Sequence, residues 1–223
     1  MSRSFSSASD YLDAATAVIA TRPCTISLWA KNGDLGGASG EHYFNIGVSG
    51  SSDNRITLFC GNGTGLVAAG ERDASASQAA IALTTYAVGG WFNLTGVFTS
   101  DSSRACFVNG AAKATNSGVA SPSAFNATRV SGNLVSTPGN PILSGGLVAY
   151  IGVWNIALAD ADVLKLYTQT PDLVQSANLI EYWPLIGNQS PEPSSGTQGT
   201  SLTVTGTTFS TDNPFSFAGV GWL

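Results

Sequence analysis

Short apolar runs, separated by clusters of turn-forming residues, are the feature of this sequence that most constrains its fold. Residues 25–30 alternate apolar and polar side chains, and similar runs occur at 91–98 and 104–108. Such alternation is typical of half-buried strands. The run at 104–108 leads into Asn109-Gly110, a strong signal for a β-hairpin. We therefore predict an all-β fold in which two antiparallel sheets form a sandwich. Further strands are predicted at 43–48, 55–60, 129–132, 146–154, 179–185 and 201–205.

A single helical pattern interrupts the strands at 157–167. Asp160 is in a position to cap the first turn, and Val163, Leu164 and Tyr167 recur at helical spacing. We predict one short helix, with these three apolar side chains on one face.

Charged residues are scarce, at 10% of the chain against about 25% in an ordinary soluble domain. The nine Lys and Arg residues are dispersed, and the net charge is −5. A surface that follows phosphate groups needs concentrated positive charge. We therefore predict that nucleic acid is not a partner.

The first residues lack the apolar core of a signal peptide, and no apolar run approaches the roughly 18 residues of a membrane span. We expect synthesis in a cytoplasm without a signal peptide, and no membrane partner.

Three cysteines, Cys24, Cys60 and Cys106, each lie in an apolar stretch and far from one another. Their number and spacing fit neither a zinc site nor a small disulfide framework. We interpret them as buried thiols that act as small apolar residues, with one disulfide in an oxidising setting as the alternative.

The chain is predicted to form one sandwich domain over residues 1–210, followed by an aromatic tail at 211–223. An unprotected tail seldom carries several large apolar residues, because they promote association. We expect the tail either to pack on its own domain or to dock on a neighbouring chain. The predicted interface residues are Phe215, Phe217, Trp222 and Leu223.

Residues that could perform chemistry are few. There are four glutamates and one histidine, and Asp160 and Asp162 lie where they would favour a helix start. We predict no catalytic residue, no cofactor and no metal site. The loops at 31–42 and 49–54 hold the candidate ligand residues Asp34, His42 and Asp53.

Five segments follow one another in a recognisable order. They are Ser4-Phe-Ser-Ser-Ala-Ser-Asp-Tyr-Leu, Cys24-Thr-Ile-Ser-Leu-Trp-Ala, Trp91-Phe-Asn-Leu-Thr-Gly-Val-Phe, Cys106-Phe-Val-Asn-Gly and Leu147-Val-Ala-Tyr-Ile-Gly-Val-Trp-Asn-Ile-Ala-Leu. Over about residues 4–168 the chain thus resembles the concanavalin A-like, laminin-G-like jelly-roll domains, of the kind found in bacteriophage virion proteins. The resemblance implies a two-sheet antiparallel jelly-roll sandwich, which is a common way to close an all-β fold.

The chain departs from this family at two points. Some members hold calcium at one rim, but this chain supplies few loop carboxylates for a hard cation. Glucanase relatives use paired carboxylates on one strand, an arrangement that we do not find here. The first departure makes a calcium site unexpected, and the second favours binding over catalysis.

Two functions remain open at this point. The first is a non-enzymatic structural protein of a virus particle, either a bacteriophage capsid decoration (cement) protein or another head or tail surface protein. It would be located in the virion and would contact other virion proteins and copies of itself. The alternative is a lectin-like, carbohydrate-binding module that recognises host or matrix glycans.

Overall fold

Two antiparallel sheets pack face to face in the computed structural model, which describes residues 1–36, 40–61, 63–135, 141–142 and 145–215. The predicted all-β, two-sheet jelly-roll sandwich with one short helix is confirmed. The eight-stranded sheet contains β1 (Ser2–Phe5), β3 (Cys24–Lys31), β8 (Trp91–Ser100), β9 (Ser103–Val108), β10 (Ala111–Asn116), β12 (Gly146–Trp154), β13 (Leu179–Trp183) and β15 (Thr208–Ser210). The seven-stranded sheet contains β2 (Tyr11–Ala14), β4 (Glu41–Gly47), β5 (Arg55–Cys60), β6 (Leu66–Arg72), β7 (Ser77–Thr85), β11 (Ala127–Val130) and β14 (Thr203–Thr205).

The order of strands brings distant parts of the chain together. The eight-stranded sheet runs β10-β9-β8-β3-β12-β1-β15, with β13 also paired to β12. The seven-stranded sheet runs β14-β2-β11-β4-β5-β6-β7. The predicted hairpin joins β9 to β10, with positive φ at Asn109 (54°) and Gly110 (69°), as a tight hairpin turn requires.

Two features of the sheets differ from what the sequence indicated. The segment 4–12 is not one strand, because β1 joins the eight-stranded sheet and β2 joins the other. The chain crosses between the sheets at a turn where the Asp10 carboxylate accepts the backbone N–H groups of Ser6 and Ser7. Strands β6 and β7 were not predicted, since their many Ala residues lack the β-branched pattern of a strand.

The main core lies between the sheets and is built from alternate residues of each strand. Strand β3 contributes Ile26 and Leu28, and β5 contributes Ile56 and Leu58, all fully buried. This period of two is the expected consequence of strand geometry.

The predicted thiol environment is confirmed: Cys24, Cys60 and Cys106 are free and buried. They pack with the apolar core as small side chains, and burial raises the pKa of the Cys24 and Cys106 thiols to about 12. These three cysteines therefore form no disulfide in the structure.

A second apolar cluster covers the outer side of the eight-stranded sheet. It contains Trp29 and Trp154, and the helix α1 (Asp160–Lys165) packs on it through Val163. The helix begins one residue earlier than the predicted cap implied: Ala159 rather than Asp160 is its N-cap, and no side chain caps it. Leu164 is 55% exposed, since a helix of six residues presents only one narrow face to the sheet.

No helix in the described ranges is long and apolar enough to cross a membrane.

A buried ion network ties the two sheets together. The Glu71 carboxylate on β6 accepts a hydrogen bond from Arg104 Nε on β9 at 2.7 Å, and Arg22 Nη1 lies 3.2 Å from its other oxygen. Glu71 and Arg104 are almost completely excluded from solvent. Arg104 also donates to the carbonyls of Asp101 and Gly118, so its charge is well satisfied.

Removing the charge at the centre of this network is expected to be costly. Glu71→Gln leaves Arg104 without its anionic partner, and we predict a loss of about 3 kcal/mol or more in the free energy of unfolding. Asp160→Asn breaks the exposed pair with Lys113 and should cost less than about 1 kcal/mol. Urea denaturation of both variants tests the difference, and equal losses would contradict the assigned role of Glu71.

Candidate functional site

A continuous row of residues crosses the outer face of the seven-stranded sheet. Cross-strand pairing places Arg129 beside Asn45, Asn45 beside Thr57, and Thr57 beside Gly70, which in turn pairs with Ala79. The alternate residues of the same strands lie in the core, so this row points away from it. Polar side chains therefore occupy the centre of this face.

A pocket of about 160 Å³ opens in this face above β5, β6 and β7, and we call it the outer pocket. Gly70 and Thr57 lie across from each other on neighbouring strands within it. A Cβ at Gly70 would come 2.9 Å from Phe59 Cε1, so the glycine leaves room for the aromatic ring. The lining residues are His42, Arg55, Thr57, Phe59, Gly70, Glu71, Arg72, Ser77, Gln78 and Ala79.

One wall of the outer pocket is aromatic. The His42 and Phe59 rings stack with centroids 5.5 Å apart, and His42 Nδ1 lies 2.8 Å from Thr57 Oγ1. Burial, together with the positive charge of Arg55, lowers the pKa of His42 to about 3. The imidazole is therefore uncharged near neutral pH and acts as a polar, rigid partner for Thr57.

The structure corrects the predicted setting of His42. It lies within β4 rather than in the loop before it, and only 7% of it is exposed. The Glu41-His42 pair looked like a loop because the residues before it are rich in Gly and Ser. Sheet pairing with Phe59 overrides that local signal.

The other wall of the outer pocket is cationic. Arg55 and Arg72 are cross-strand neighbours, and Arg72 Nε donates to Asp53 Oδ1 at 2.6 Å. Arg55 Nε and Nη1 are buried and have no hydrogen-bond partner within the described part of the chain. Burial, with the charge of Arg72, lowers the pKa of Arg55. Arg72 is thus paired with a carboxylate, whereas two donor groups of Arg55 have no acceptor among the described residues.

The predicted ligand residues are therefore only partly brought together. His42 lines the outer pocket, and Asp53 borders it through its ion pair with Arg72. Asp34 does not line this pocket. Its carboxylate accepts the Gly36 N–H in a turn, and its carbonyl accepts the Tyr86 hydroxyl.

The half of the face next to the outer pocket is covered by the protein itself. Arg129 packs on the Tyr11 ring and donates to the carbonyls of Asn133 and Val135. Asn45 donates to the Gly132 carbonyl at 2.8 Å. These bonds hold residues 131–135 across one end of the row, so the open end lies toward β7.

An apolar strip borders the open end. Ile81 is 52% exposed and Leu83 is 89% exposed on β7, and Ile81 pairs with Ala68 beside Phe59. Because both side chains lie on the same side of an edge strand, they form a small exposed apolar patch. The face therefore combines a polar pocket with an adjoining apolar rim.

A larger pocket, of about 310 Å³, lies beside β9, β10 and the start of the helix. Its charged residues are engaged with the protein, because Lys113 pairs with Asp160 and Arg104 belongs to the buried network. The outer pocket differs in having a cation with unused donors.

The four glutamate carboxylates all serve contacts within the fold. Glu71 belongs to the inter-sheet network, and Glu192 pairs with the buried Arg3 at 2.6 Å. Glu181 accepts the Thr200 N–H, and Glu41 accepts from the Asn32 amide. All four residues are buried, which the sequence did not indicate.

Asp73 follows Glu71 by two residues, yet it points into a turn. Its carboxylate accepts backbone N–H groups of Ser75, Ala76 and Ser121, which lower its pKa. Within the described ranges, no group of three or more His, Cys, Asp or Glu residues could hold a metal ion.

The first part of the aromatic tail packs on its own domain. The Phe215 ring makes edge-to-face contacts with Trp29 and Tyr150, with centroids 5.3 and 5.0 Å apart. Phe217, Trp222 and Leu223 lie outside the described residues, so their interface role stays a prediction.

Most residues of the outer pocket were missed from the sequence. Arg55, Thr57 and Phe59 alternate with apolar residues of β5, so the sequence pattern indicated that they point away from the core. Gly70 and Ala79 could not be assigned to the pocket from the sequence, because strands β6 and β7 were not recognised. Their small size leaves room in the pocket instead of adding a contacting side chain.

Comparison with protein families matches residues 6–164 to the model Laminin_G_3, the concanavalin A-like lectin/glucanases superfamily. A comparison with curated proteins finds no match. The family match agrees with the resemblance that the sequence motifs carry.

Solved structures include several similar folds. A heptameric SAP-like pentraxin from Limulus polyphemus has a TM-score of 0.56 and 18% identity, over 71% of this chain and 75% of its own. A proposed carbohydrate-binding protein from Bacteroides ovatus has a TM-score of 0.63 and 14% identity, over 93% and 58%. The CBM40 of an IT-sialidase from Ruminococcus gnavus has a TM-score of 0.54 and 14% identity, over 66% and 84%.

These identities are low, so the likeness is one of fold. The chain spans three quarters of the pentraxin but only 34% to 37% of three other similar chains.

The buried, uncharged state of His42 predicts a pH dependence of stability. In the unfolded chain the imidazole takes up a proton near its ordinary pKa of 6.5, whereas in the folded protein it does so only near pH 3. Acidification through this interval favours the unfolded state, so the contribution is complete above pH 6.5 and declines below it.

His42→Gln removes this contribution and should flatten the profile. Between about pH 8 and pH 5, the free energy of unfolding of the wild type should fall by about 2 kcal/mol more than that of the variant. Urea denaturation at the two pH values measures it. Both proteins carry the same carboxyl groups, so parallel profiles would contradict a buried, uncharged His42.

Proposed function

Since this chain belongs to the concanavalin A-like lectin/glucanases superfamily, we propose that it is a non-enzymatic carbohydrate-binding module that holds part of a glycan in the outer pocket. The observation that carries the proposal is the placement of the Phe59 ring beside hydrogen-bonding side chains, over the space left by Gly70.

The chemistry of this face suits a sugar. A sugar ring offers hydroxyl groups at its edges and C–H groups on its faces, so it needs polar groups and an apolar surface side by side. Thr57 and Gln78 supply hydrogen-bonding groups, while Phe59 and the neighbouring Ile81 supply apolar contact. A pocket of about 160 Å³ accommodates one group of a ligand, and the rest would extend over the open face.

The site is largely formed before a ligand arrives. The His42 ring holds Phe59 by stacking and lies within hydrogen-bonding distance of Thr57, so neither side chain needs to become ordered on binding. Pre-organisation of this kind lowers the entropic cost of association. It supports a role in recognition.

Two further observations support binding without catalysis. Similar folds include a proposed carbohydrate-binding protein and a CBM40. Hydrolysis of a glycosidic bond uses two carboxylates that flank it. The glutamates of this chain are instead buried and engaged in contacts of the fold.

A second candidate is a structural role in a bacteriophage particle, as a capsid decoration (cement) protein or another head or tail surface protein. Two observations favour it: Leu83 and Ile81 expose apolar surface on an edge strand, and Phe215 anchors the start of an aromatic C-terminal segment. Such a chain would be made in the host cytoplasm and located in the virion. Its partners would be other virion proteins and copies of itself.

A glycan array with the purified protein tests the carbohydrate proposal. We expect wild-type binding, and about a tenfold loss of affinity for Phe59→Ala, equivalent to about 1.4 kcal/mol, because the ring contact disappears. Tyr167→Ala is the matched control, since that partly exposed ring lies on the opposite side of the sandwich. Absence of binding by the wild type, or equal losses for both variants, would count against the proposal.

Co-purification with phage particles tests the second candidate. Truncation after Phe215 keeps the contacts with Trp29 and Tyr150 but removes Phe217, Trp222 and Leu223. We expect the full chain to sediment with particles and the truncated chain to remain in the supernatant, with the same melting temperature. Retention of the truncated chain on particles would reject docking through this segment.

A further inference from the structure

We infer that the outer pocket receives the negatively charged group of an acidic sugar, with Arg55 as the residue that binds it. This inference rests on the proposed carbohydrate function and specifies the class of glycan. It predicts that neutral glycans lacking such a group bind weakly.

Part of the Arg55 guanidinium group has no hydrogen-bond partner in the described part of the fold. Its Nε and Nη1 atoms are buried without a hydrogen-bond acceptor among the residues described. A buried cation is costly unless a partner satisfies it. By contrast, the buried Arg3 and Arg104 each donate to a glutamate and to backbone carbonyls. Arg55 is therefore poised for an acceptor that the fold does not supply.

The charges around the outer pocket do not balance. Arg55 and Arg72 both line it, while His42 is uncharged near neutral pH. Asp53 lies against Arg72, and the Glu71 carboxylate is turned to the core, where Arg104 and Arg22 hold it. One positive charge is left over, although the chain as a whole carries −5. Such a local excess selects an anion.

The Arg55 charge lies beside the Thr57 and Phe59 side chains that are proposed to contact the sugar. Arg55, Thr57 and Phe59 are alternate residues of one strand and point to the same side. An anionic substituent at Arg55 would place the attached ring over Thr57 and Phe59. Guanidinium groups match the geometry of carboxylates and of tetrahedral oxyanions, so uronic, sialic and sulfated sugars share the required chemistry.

Matched pairs of glycans test the inference. Sialyllactose against lactose, and oligogalacturonate against its methyl ester, differ only in the charged group or the residue that carries it. A sulfated and an unsulfated lactosamine form a third pair and distinguish sulfate from carboxylate. We expect at least one acidic member to bind on the order of tenfold to hundredfold more tightly than its neutral counterpart.

Arg55→Gln supplies the test at the residue level. We expect it to remove this preference while leaving the melting temperature unchanged or raised, because the variant also removes an unsatisfied cation beside Arg72. Lys113→Gln is the matched control, since it removes the same charge from strand β10 on the other sheet. It should bind acidic glycans like the wild type.

Equal binding of acidic and neutral glycans would overturn the inference and leave the carbohydrate function standing. Failure of all glycans to bind would overturn the proposed function itself. If Arg55→Gln keeps the preference for acidic glycans, the inference is wrong whatever its melting temperature, and a lowered melting temperature then identifies Arg55 as a structural residue.

Discussion

The alternation of side chains across the seven-stranded sheet is the constraint on which the rest of this structure depends. Strand β5 sends Ile56 and Leu58 into the core and sends Arg55, Thr57 and Phe59 to the outer face. A shift of one residue in its pairing would exchange the two sets and place a guanidinium in the core. The register that buries the core therefore also builds the outer pocket, so fold and site are specified together.

Buried charge is treated differently between the sheets and in the outer pocket. Between the sheets, Glu71 compensates Arg104, so the buried charges are matched and the sheets are held in one relative position. In the outer pocket, Arg55 lacks an acceptor for two of its donors. Proteins commonly violate such local rules at functional sites, where a ligand completes the arrangement. This contrast is the reason for assigning function to that face rather than to the larger pocket beside the helix.

Membership of a superfamily describes the sandwich but not its ligand, because one fold supports many unrelated functions. The two surfaces of interest lie on opposite sides. The outer pocket opens on the seven-stranded sheet, and Phe215 packs beyond the eight-stranded sheet against Trp29 and Tyr150. A glycan in the outer pocket and a protein partner bound at Phe215 would therefore lie on opposite sides of the sandwich.

Local patterns were enough to predict most strands, the Asn109-Gly110 turn, the buried thiols and the superfamily, because each depends on neighbouring residues or on motif order. The site depended on pairing between distant segments. His42 meets Phe59, and Arg55 meets Arg72, only because β4, β5 and β6 lie side by side. Burial of the glutamates likewise follows from how the sheets stack. The sequence by itself thus determined the architecture, while the tertiary structure alone decided which polar groups are satisfied and which remain open to a ligand.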